Sequence, residues 1–343
     1  MSHPSLPVIQ SNVSLQHLHT FAIPSVASQM VVIRDDDELH ALIRARLIPA
    51  HHVVIGSGSN MLFADRYEGM VLHMATRGVR LVGEESDTVF VEAAAGELWD
   101  PFVQHCIRQG WHGLENLAAI PGTVGASAVQ NIGAYGCEAA DCIERVHAVE
   151  TTTGRPLTIM RQQCHYGYRD SVFKHDLAQR CIITSVVFRL TKAFVPNLSY
   201  QALRDAAARC GLSSLTPRQL FDLVTDLRWS KLPRPEVLGN AGSFFKNPVV
   251  PSSHAEQLRR SYPAIPCHTA PQGVKIPAAW LIEQCGWRGR SLGHCAVYDK
   301  QALVLVNLGG CTIGDVQRLS DAIIADVRAR FAITLQPEVI FNR

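Results

Sequence analysis

The chain has 343 residues, with 32 basic and 30 acidic side chains and a formal net charge of +2. That length suffices for two or three domains with cores of their own, and the near-neutral balance excludes the clustered basic face of a dedicated nucleic-acid binder. Hydrophobic residues make up 47% and are spread along the chain, which excludes long disordered tracts, and no apolar run approaches the roughly 18 residues of a membrane span.

The first third alternates strand and helix signals. Met30 to Arg34 is a β-branched run read as a strand, and Asp35 and Asp36 then cap a helix whose apolar face is Leu39, Leu42, Ile43 and Leu47. His52 to Ile55 returns as a strand and stops at Gly56-Ser57-Gly58-Ser59-Asn60. Further strands are expected at Met70 to Met74 and Thr88 to Ala93. Trp99, Phe102, Val103, Cys106 and Ile107 mark one face of a helix that Gly110 suits as a terminator. Leu114 to Gly136 is glycine-rich yet apolar. Such a stretch is neither helix nor strand throughout and suits backbone packed closely against a ligand.

A hairpin follows, Glu144 to Thr151 and Arg155 to Met160 around a Thr-Gly turn, and Cys181 to Leu190 reads as a strand closing this unit. Thr216-Pro217-Arg218-Gln219 is a capping box with proline at the first helical position, opening a helix that buries Leu220, Leu223, Val224 and Leu227. A boundary is therefore expected within 193–215. Beyond it lie a Pro277 to Cys285 helix, an Ala302 to Leu308 strand, an Asp315 to Phe331 helix and a Thr334 to Phe341 strand. The pattern is α+β with more than one domain.

Several stretches can carry chemistry. Gly56 to Asn60 follows a strand, so its amides suit either a pyrophosphate or an ordinary turn. It is neither a Gly-x-Gly-x-x-Gly fingerprint nor a P-loop. Two more small-residue loops, Ile120 to Gly125 and Asn131 to Gly136, can join it to line a long, flat, phosphate-bearing cofactor. Arg169 beside Asp170 is either a surface ion pair or a fixed cation for a carboxylate or enolate. In Gly239-Asn240-Ala241-Gly242-Ser243-Phe244-Phe245-Lys246-Asn247-Pro248, flanking glycines present Ser243, as a turn residue or a proton donor. It lacks the hydrolase elbow Gly-x-Ser-x-Gly. Glu338 in Gln336-Pro337-Glu338-Val339 is either solvated or buried, and burial would raise its pKa. The fifteen histidines form no metal-binding spacing, and the ten cysteines contain no Cys-x-x-Cys pair. The opening MSHPSLPVIQ lacks the pattern of a signal peptide, so the cysteines are expected to be reduced, mostly buried thiols of a cytoplasmic protein.

Taken in order, GSGSNMLF, GLENLAAIPGTVGASAVQNIGAYG, YGYRDSVFK, KLPRPEVLGNAGSFFKNPVV, AAWLIEQCG and LQPEVIF resemble the UDP-N-acetylenolpyruvoylglucosamine reductase (MurB) family, from about residue 20 to the end. The Tyr200 region is similar to the subtype with an extra substrate-closing loop. The resemblance implies an FAD-binding domain of the vanillyl-alcohol-oxidase (PCMH) type over 21–193 and a C-terminal α+β substrate-binding domain over 216–341. It implies non-covalent FAD, NADPH as co-substrate, and reduction of UDP-N-acetylglucosamine enolpyruvate to UDP-N-acetylmuramate by a cytoplasmic monomer of peptidoglycan precursor synthesis.

The family's roles carry over onto matching positions. Ser243, Arg169 and Glu338 would be catalytic. Gly56, Ser57, Gly58, Ser59, Asn60, Pro121, Gly122, Thr123, Gly125, Ala126, Asn131, Gly133, Ala134, Tyr135 and Gly136 would bind FAD, and Tyr200, Lys231, Asn247 and Gln301 the UDP-sugar. No metal is implied. His19-Thr20-Phe21 stands where the family usually has Asn-Thr-Phe, and Ala118-Ala119 and Gly293-His294-Cys295 are also departures. The competing enzyme reading is another flavin oxidase or dehydrogenase of the same FAD-domain superfamily acting on an alcohol or sugar. A non-enzymatic one is a nucleotide-binding regulatory protein.

Overall fold

The computed structural model describes residues 6–210 and 214–343. The chain forms two compact units that interleave in sequence. One holds Ala27–Ser57 and Glu68–Ser230 with the N-terminal residues up to Val13. The other holds Ser14–Val26, Gly58–Tyr67 and Lys231–Arg343.

The first unit contains two sheets. In one, Gln10–Ser14, Val26–Ile33, Arg66–Met74 and His52–Ile55 lie side by side, the last pair parallel with His52 opposite Met70. The helix Asp36–Arg44 starts where expected because Asp35 accepts the Glu38 amide at 2.8 Å, with three acidic residues in its first turn. It packs Leu39, Leu42 and Ile43 against Val31, Ile33 and Leu72 of this sheet. Leu47 does not share that face: the helix ends at Arg44, Arg46 takes a left-handed conformation (φ 56°), and Leu47 is 37% exposed.

The second sheet is antiparallel, in the order Pro156–Met160, Ile143–Glu150, Cys181–Thr191, Thr88–Ala94, Val79–Glu84. Its centre is the long, almost wholly buried Cys181–Thr191 strand. The helix Trp99–Arg108 packs Trp99 and Phe102 against Phe188, and Trp99 donates its indole N–H to the Leu117 carbonyl at 2.8 Å. Gly110, at φ 73°, supplies the left-handed turn after that helix. The helix Pro217–Lys231 is opened by the expected capping box, the Thr216 amide reaching Gln219 Oε1 at 2.9 Å and the Gln219 amide reaching Thr216 Oγ1 at 3.2 Å. It buries Leu220, Phe221 and Val224 in this unit's core, with Leu223 and Leu227 only partly buried at its edge.

The glycine-rich segment is more regular than its composition suggests. It contains a 3₁₀ turn, Glu115–Leu117, and a helix of seven residues, Val124–Gln130. That helix forms because its small residues pack closely: a Cβ on Gly125 would lie 2.9 Å from Ala95 Cβ.

In the second unit, Asn240–Ser243, Val304–Asn307, Cys295–Val297 and Ser291–Leu292 form an antiparallel sheet, and Val249–Val250, Gly273–Lys275 and His268–Ala270 a smaller one. The helix Ile313–Phe331 begins two residues before the expected Asp315, because Thr312 and Asp315 make a reciprocal capping box. Its buried face, including Val316, Leu319, Ile323 and Val327, packs with Leu281 and Ile282 of the Ala278–Gln284 helix. The expected Thr334 to Phe341 strand is a correction. Only Ile340–Asn342 is a strand, parallel to Met61–Phe63. Pro337, which has no amide to give a ladder, makes only an isolated bridge to Phe245. Of the cysteines, all free, five are buried, four partly buried, and Cys210 is exposed, so "mostly buried" describes only half of them.

Candidate active site

The expected site residues divide between the two units. In the first, Gly56 and Ser57 end the His52–Ile55 strand. Gly56 must be glycine, because a Cβ there would lie 2.2 Å from Thr123 Oγ1 and 2.7 Å from its Cγ2. This contact draws the first small-residue loop against Pro121–Gly125. Ser57 Oγ is enclosed with no hydrogen-bond partner, an arrangement that calls for a ligand atom. Among the described residues, then, the loop is close-packed on its protein side and polar where a partner is lacking, which fits a phosphate-bearing cofactor.

The amides of the following helix are less available. Val124 donates to the Glu97 carbonyl and Gly125 to the Ala95 carbonyl, both at 2.9 Å. Thr123, Gly125 and Ala126 therefore fix the loop as much as they offer contacts. Asn131 is fully buried and left-handed (φ 45°). Its side chain accepts the Ala140 amide at 3.0 Å and donates to Glu138 at 2.8 Å and to the Gly167 carbonyl at 2.9 Å. Those bonds tie three loops together, while its amide donates to the Ser127 carbonyl.

The loop so tied carries Arg169. Its guanidinium donates to the carbonyls of Asn131 and Gly133 and lies 5.3 Å from the Tyr168 ring centroid. A Cβ on Gly133 would come within 2.8 Å of Arg169 Nη1. Arg169 itself, with Ala119, Asn131 and Tyr135, has positive φ, at 56°, 57°, 45° and 49°. Non-glycine residues adopt this region uncommonly, and such strain concentrates where geometry serves a site. Asp170 accepts from His175 at 2.8 Å. Tyr135 packs edge-on against Tyr200 (5.4 Å, 86°), which is 45% exposed at the start of the Gln201–Arg209 helix. Ala134 and Gly136 flank that tyrosine, Gly136 at φ 83°.

In the second unit Ser243 ends the Asn240–Ser243 strand, exposed and opposite Val304. Gly242 precedes it at φ 68°, its amide on Asn240 Oδ1 at 2.9 Å, so the strand turns and presents the hydroxyl. Phe244 and Phe245, both buried, anchor the next residues. The Glu338 amide donates to the Phe244 carbonyl at 2.8 Å, and Asn60 Nδ2 donates to the Glu338 carbonyl at 3.1 Å. Ser243, Glu338 and Asn60 are thus brought into one neighbourhood, with Glu338 half-buried. A Cβ on Gly58 would meet the Leu18 carbonyl at 2.2 Å, so this half of the loop packs against Leu18–His19. Ser59 accepts from Thr20 Oγ1 at 3.3 Å. Asn247 Oδ1 accepts the Ala278 amide at 2.9 Å, Gln301 Oε1 accepts the Leu303 amide at 3.3 Å, and Lys231 is exposed at the end of its helix.

The sequence marked His19 only as a departure from the family pattern and did not mark Arg228 at all. His19 is buried, with Nε2 3.1 Å from the Ile23 carbonyl and Nδ1 enclosed without a partner. Burial pulls its pKa below the usual histidine value, against the opposing bond to Ile23. Arg228 lies in the core-facing register of the Pro217–Lys231 helix, eight residues after Leu220 and four after Val224. A charge at a position that helical periodicity assigns to the core was the available signal.

Residues 234–342 match a family described as the UDP-N-acetylenolpyruvoylglucosamine reductase C-terminal domain, and residues 27–159 one described as an FAD binding domain. A UDP-N-acetylenolpyruvoylglucosamine reductase of Dechloromonas aromatica is 45% identical over 335 residues, 96% of this chain and 98% of the relative. One from Burkholderia vietnamiensis is 46% identical over 327 residues, 94% of this chain and 93% of the relative. The chain belongs to the UDP-N-acetylenolpyruvoylglucosamine reductase family. The crystal structure of the Thermus caldophilus reductase (MurB) covers 98% of this chain and 100% of its own at 23% identity and a TM-score of 0.69, which speaks for the fold. The expected α+β class, an FAD-binding domain of PCMH type with a C-terminal reductase-family domain, stands. Among the described residues no helix is long and apolar enough to cross a membrane, and no three His, Cys, Asp or Glu side chains gather to hold a metal ion.

Proposed function

We propose that this family member is a UDP-N-acetylmuramate dehydrogenase: it reduces the enolpyruvyl ether of UDP-N-acetylglucosamine with NADPH, through bound FAD, in the cytoplasm and as a monomer. The observation that carries the reading is the hydroxyl of Ser243 presented beside a strand end to which the Glu338 backbone is tied. A hydroxyl donor so presented suits proton delivery to a carbon that has just gained electrons.

FAD would be held by the 56–60, 121–126 and 131–136 loops; Ser57 supports this, its enclosed hydroxyl lacking a partner. When bound, and reduced by NADPH, it supplies the hydride for the enolpyruvyl double bond. The chain's own work is electrostatic. Negative charge must spread into the substrate carboxylate, and Arg169, already oriented by two carbonyls, can receive it as a planar fork. Glu338 would stabilise the enol oxygen, and Ser243 Oγ would give the proton to the carbanionic carbon. Tyr200, Lys231, Asn247 and Gln301 would hold the UDP-sugar, Lys231 as a point charge for the diphosphate. A preorganised donor is worth about 10²–10³ in rate and a positioned acid about 10²–10⁴. In function, 21–193 would serve the cofactor and 216–341 the substrate.

The test is the visible spectrum of the purified protein. A yellow protein bleached by NADPH and restored by UDP-N-acetylglucosamine enolpyruvate is expected. Rapid restoration by oxygen with no response to the sugar nucleotide would point to a flavin oxidase instead.

A further inference from the structure

The Gly133–Ala134 and Cys137–Glu138 strands pair antiparallel with Ala134 opposite Cys137, so Tyr135 and Gly136 form the two-residue turn between them. Both have positive φ, 49° and 83°, as a tight hairpin turn of this hand requires. Glycine takes that conformation freely, whereas a bulky tyrosine does not. Asn116 holds the turn from the protein side. It is 3% exposed in the Glu115–Leu117 turn, and its Nδ2 donates to the Tyr135 carbonyl at 2.9 Å. A second bond from the same nitrogen reaches the Asn197 carbonyl, also at 2.9 Å.

Asn197 is fastened to the turn in its own right. Its Nδ2 lies 3.1 Å from Cys137 Sγ and 3.5 Å from the Gly136 carbonyl, and its Oδ1 accepts the Ser199 amide at 3.0 Å. Gly136 leaves room for this segment, since a Cβ there would lie 2.4 Å from Ser199 Oγ. Tyr200 follows, its ring edge-on to that of Tyr135 with centroids 5.4 Å apart, and opens the Gln201–Arg209 helix. A buried carboxamide nitrogen has two hydrogens to place. Asn116 places them on two segments distant in sequence, one proposed to hold FAD and the other leading to Tyr200, proposed to hold the UDP-sugar. We propose that Asn116 is a positioning residue for the reaction: it clamps the Tyr135 turn to the 197–200 segment and so sets the Tyr200 ring where the sugar nucleotide binds. This rests on the reductase reading, and Asn116 acts through Tyr200.

The experiment uses the holoenzyme with Asn116→Leu, which keeps the volume and removes both donors, and with Asn197→Ala, which keeps the backbone carbonyl that Asn116 binds. Each is also combined with Tyr200→Ala. FAD content, the rate of bleaching by NADPH, and the Kd for the sugar nucleotide from the change in the visible spectrum are read. Both single variants are expected to keep FAD and to bleach within about twofold of the wild-type rate. Their Kd rises by about fivefold or more, the scale of a lost hydrogen bond between uncharged groups. In the Tyr200→Ala background the same substitutions change Kd by less than about twofold, because the residue they position is gone. A merely structural role would act equally in both backgrounds, and that result overturns the proposal. A smaller rise in Kd overturns it too, as does bleaching slowed beyond that limit, which would place the fault in the cofactor turn. Should Asn116→Leu fail to hold FAD, Asn197→Ala decides by the same readings, and loss of FAD in both overturns the clamp. Wild-type protein is measured alongside: if it is not restored by the sugar nucleotide after NADPH, the reductase reading itself has failed, and this inference with it.

Discussion

Gly56→Ala is the sharpest steric perturbation the first unit allows. The added methyl would lie 2.2 Å from Thr123 Oγ1, 2.7 Å from Cγ2 and 3.0 Å from Cβ. Thr123 has nowhere to retreat, being 4% exposed and fixed at the start of the Val124–Gln130 helix. Either the 56–57 loop or the 121–125 loop must move. Overpacking of this kind costs about 1–3 kcal/mol, and at about 2–4 °C per kcal/mol for a unit of this size a loss near 2 kcal/mol lowers Tm by about 4–8 °C. Because both loops are proposed to hold FAD, cofactor retention after gel filtration falls as well.

Thr123→Ala is a clean partner. The Thr123 side chain makes no capping hydrogen bond, so removing Oγ1 and Cγ2 forfeits little and leaves only Cβ at 3.0 Å. The double variant is expected to regain most of the lost Tm and FAD, with a coupling of about 1–2 kcal/mol in the cycle. The assay is differential scanning fluorimetry with FAD content read by absorbance. A Gly56→Ala protein that melts with wild type and keeps its FAD, or a double variant no better than the single, would refute the reasoning.

Ser243→Ala is expected to keep FAD and to be bleached by NADPH at the wild-type rate, while restoration by the sugar nucleotide slows by about 10²–10⁴; wild-type restoration in stopped flow would remove Ser243 from proton delivery. Arg169→Lys should lower kcat/KM by about 10²–10³, since a point charge cannot hold two carbonyls and a carboxylate as a fork does; steady-state rates near wild type would reject the clamp. His19 predicts a pH dependence. Its folded pKa is depressed by burial, so the unfolded chain takes up the proton first, and the stability it contributes is present above the ordinary value of 6.5 and lost as pH falls below it towards the folded value. His19→Asn should therefore lose less Tm than wild type between about pH 7.5 and about pH 5.5. His73, whose pKa is lowered by burial and by Arg77, adds a loss of the same sign to both proteins and so cancels in the comparison; parallel melting curves would discount His19.

Much of the fold was legible along the chain. Asp35, the Thr216–Gln219 pair, the Trp99–Ile107 face and the 144–160 hairpin are local signals, set by caps, turns and periodicity within a few residues, and these elements appear where expected. Misreadings arose where local pattern met long-range packing. Leu47 continued a helical stripe past a left-handed Arg46, and Thr334 to Phe341 looked like a strand although Pro337 confines pairing to Ile340–Asn342. The motifs and their order marked Ser243, Arg169 and Glu338 as candidates through resemblance. Only the tertiary structure decided that Gly56 answers to Thr123, that the Asn131 side chain ties three loops together, and that the Nε of Arg228 is enclosed without a hydrogen-bond partner. Gly56 and Thr123, and Asn131 and Gly167, lie tens of residues apart in sequence, where neither propensity nor period carries information, because close packing is a property of the folded neighbourhood.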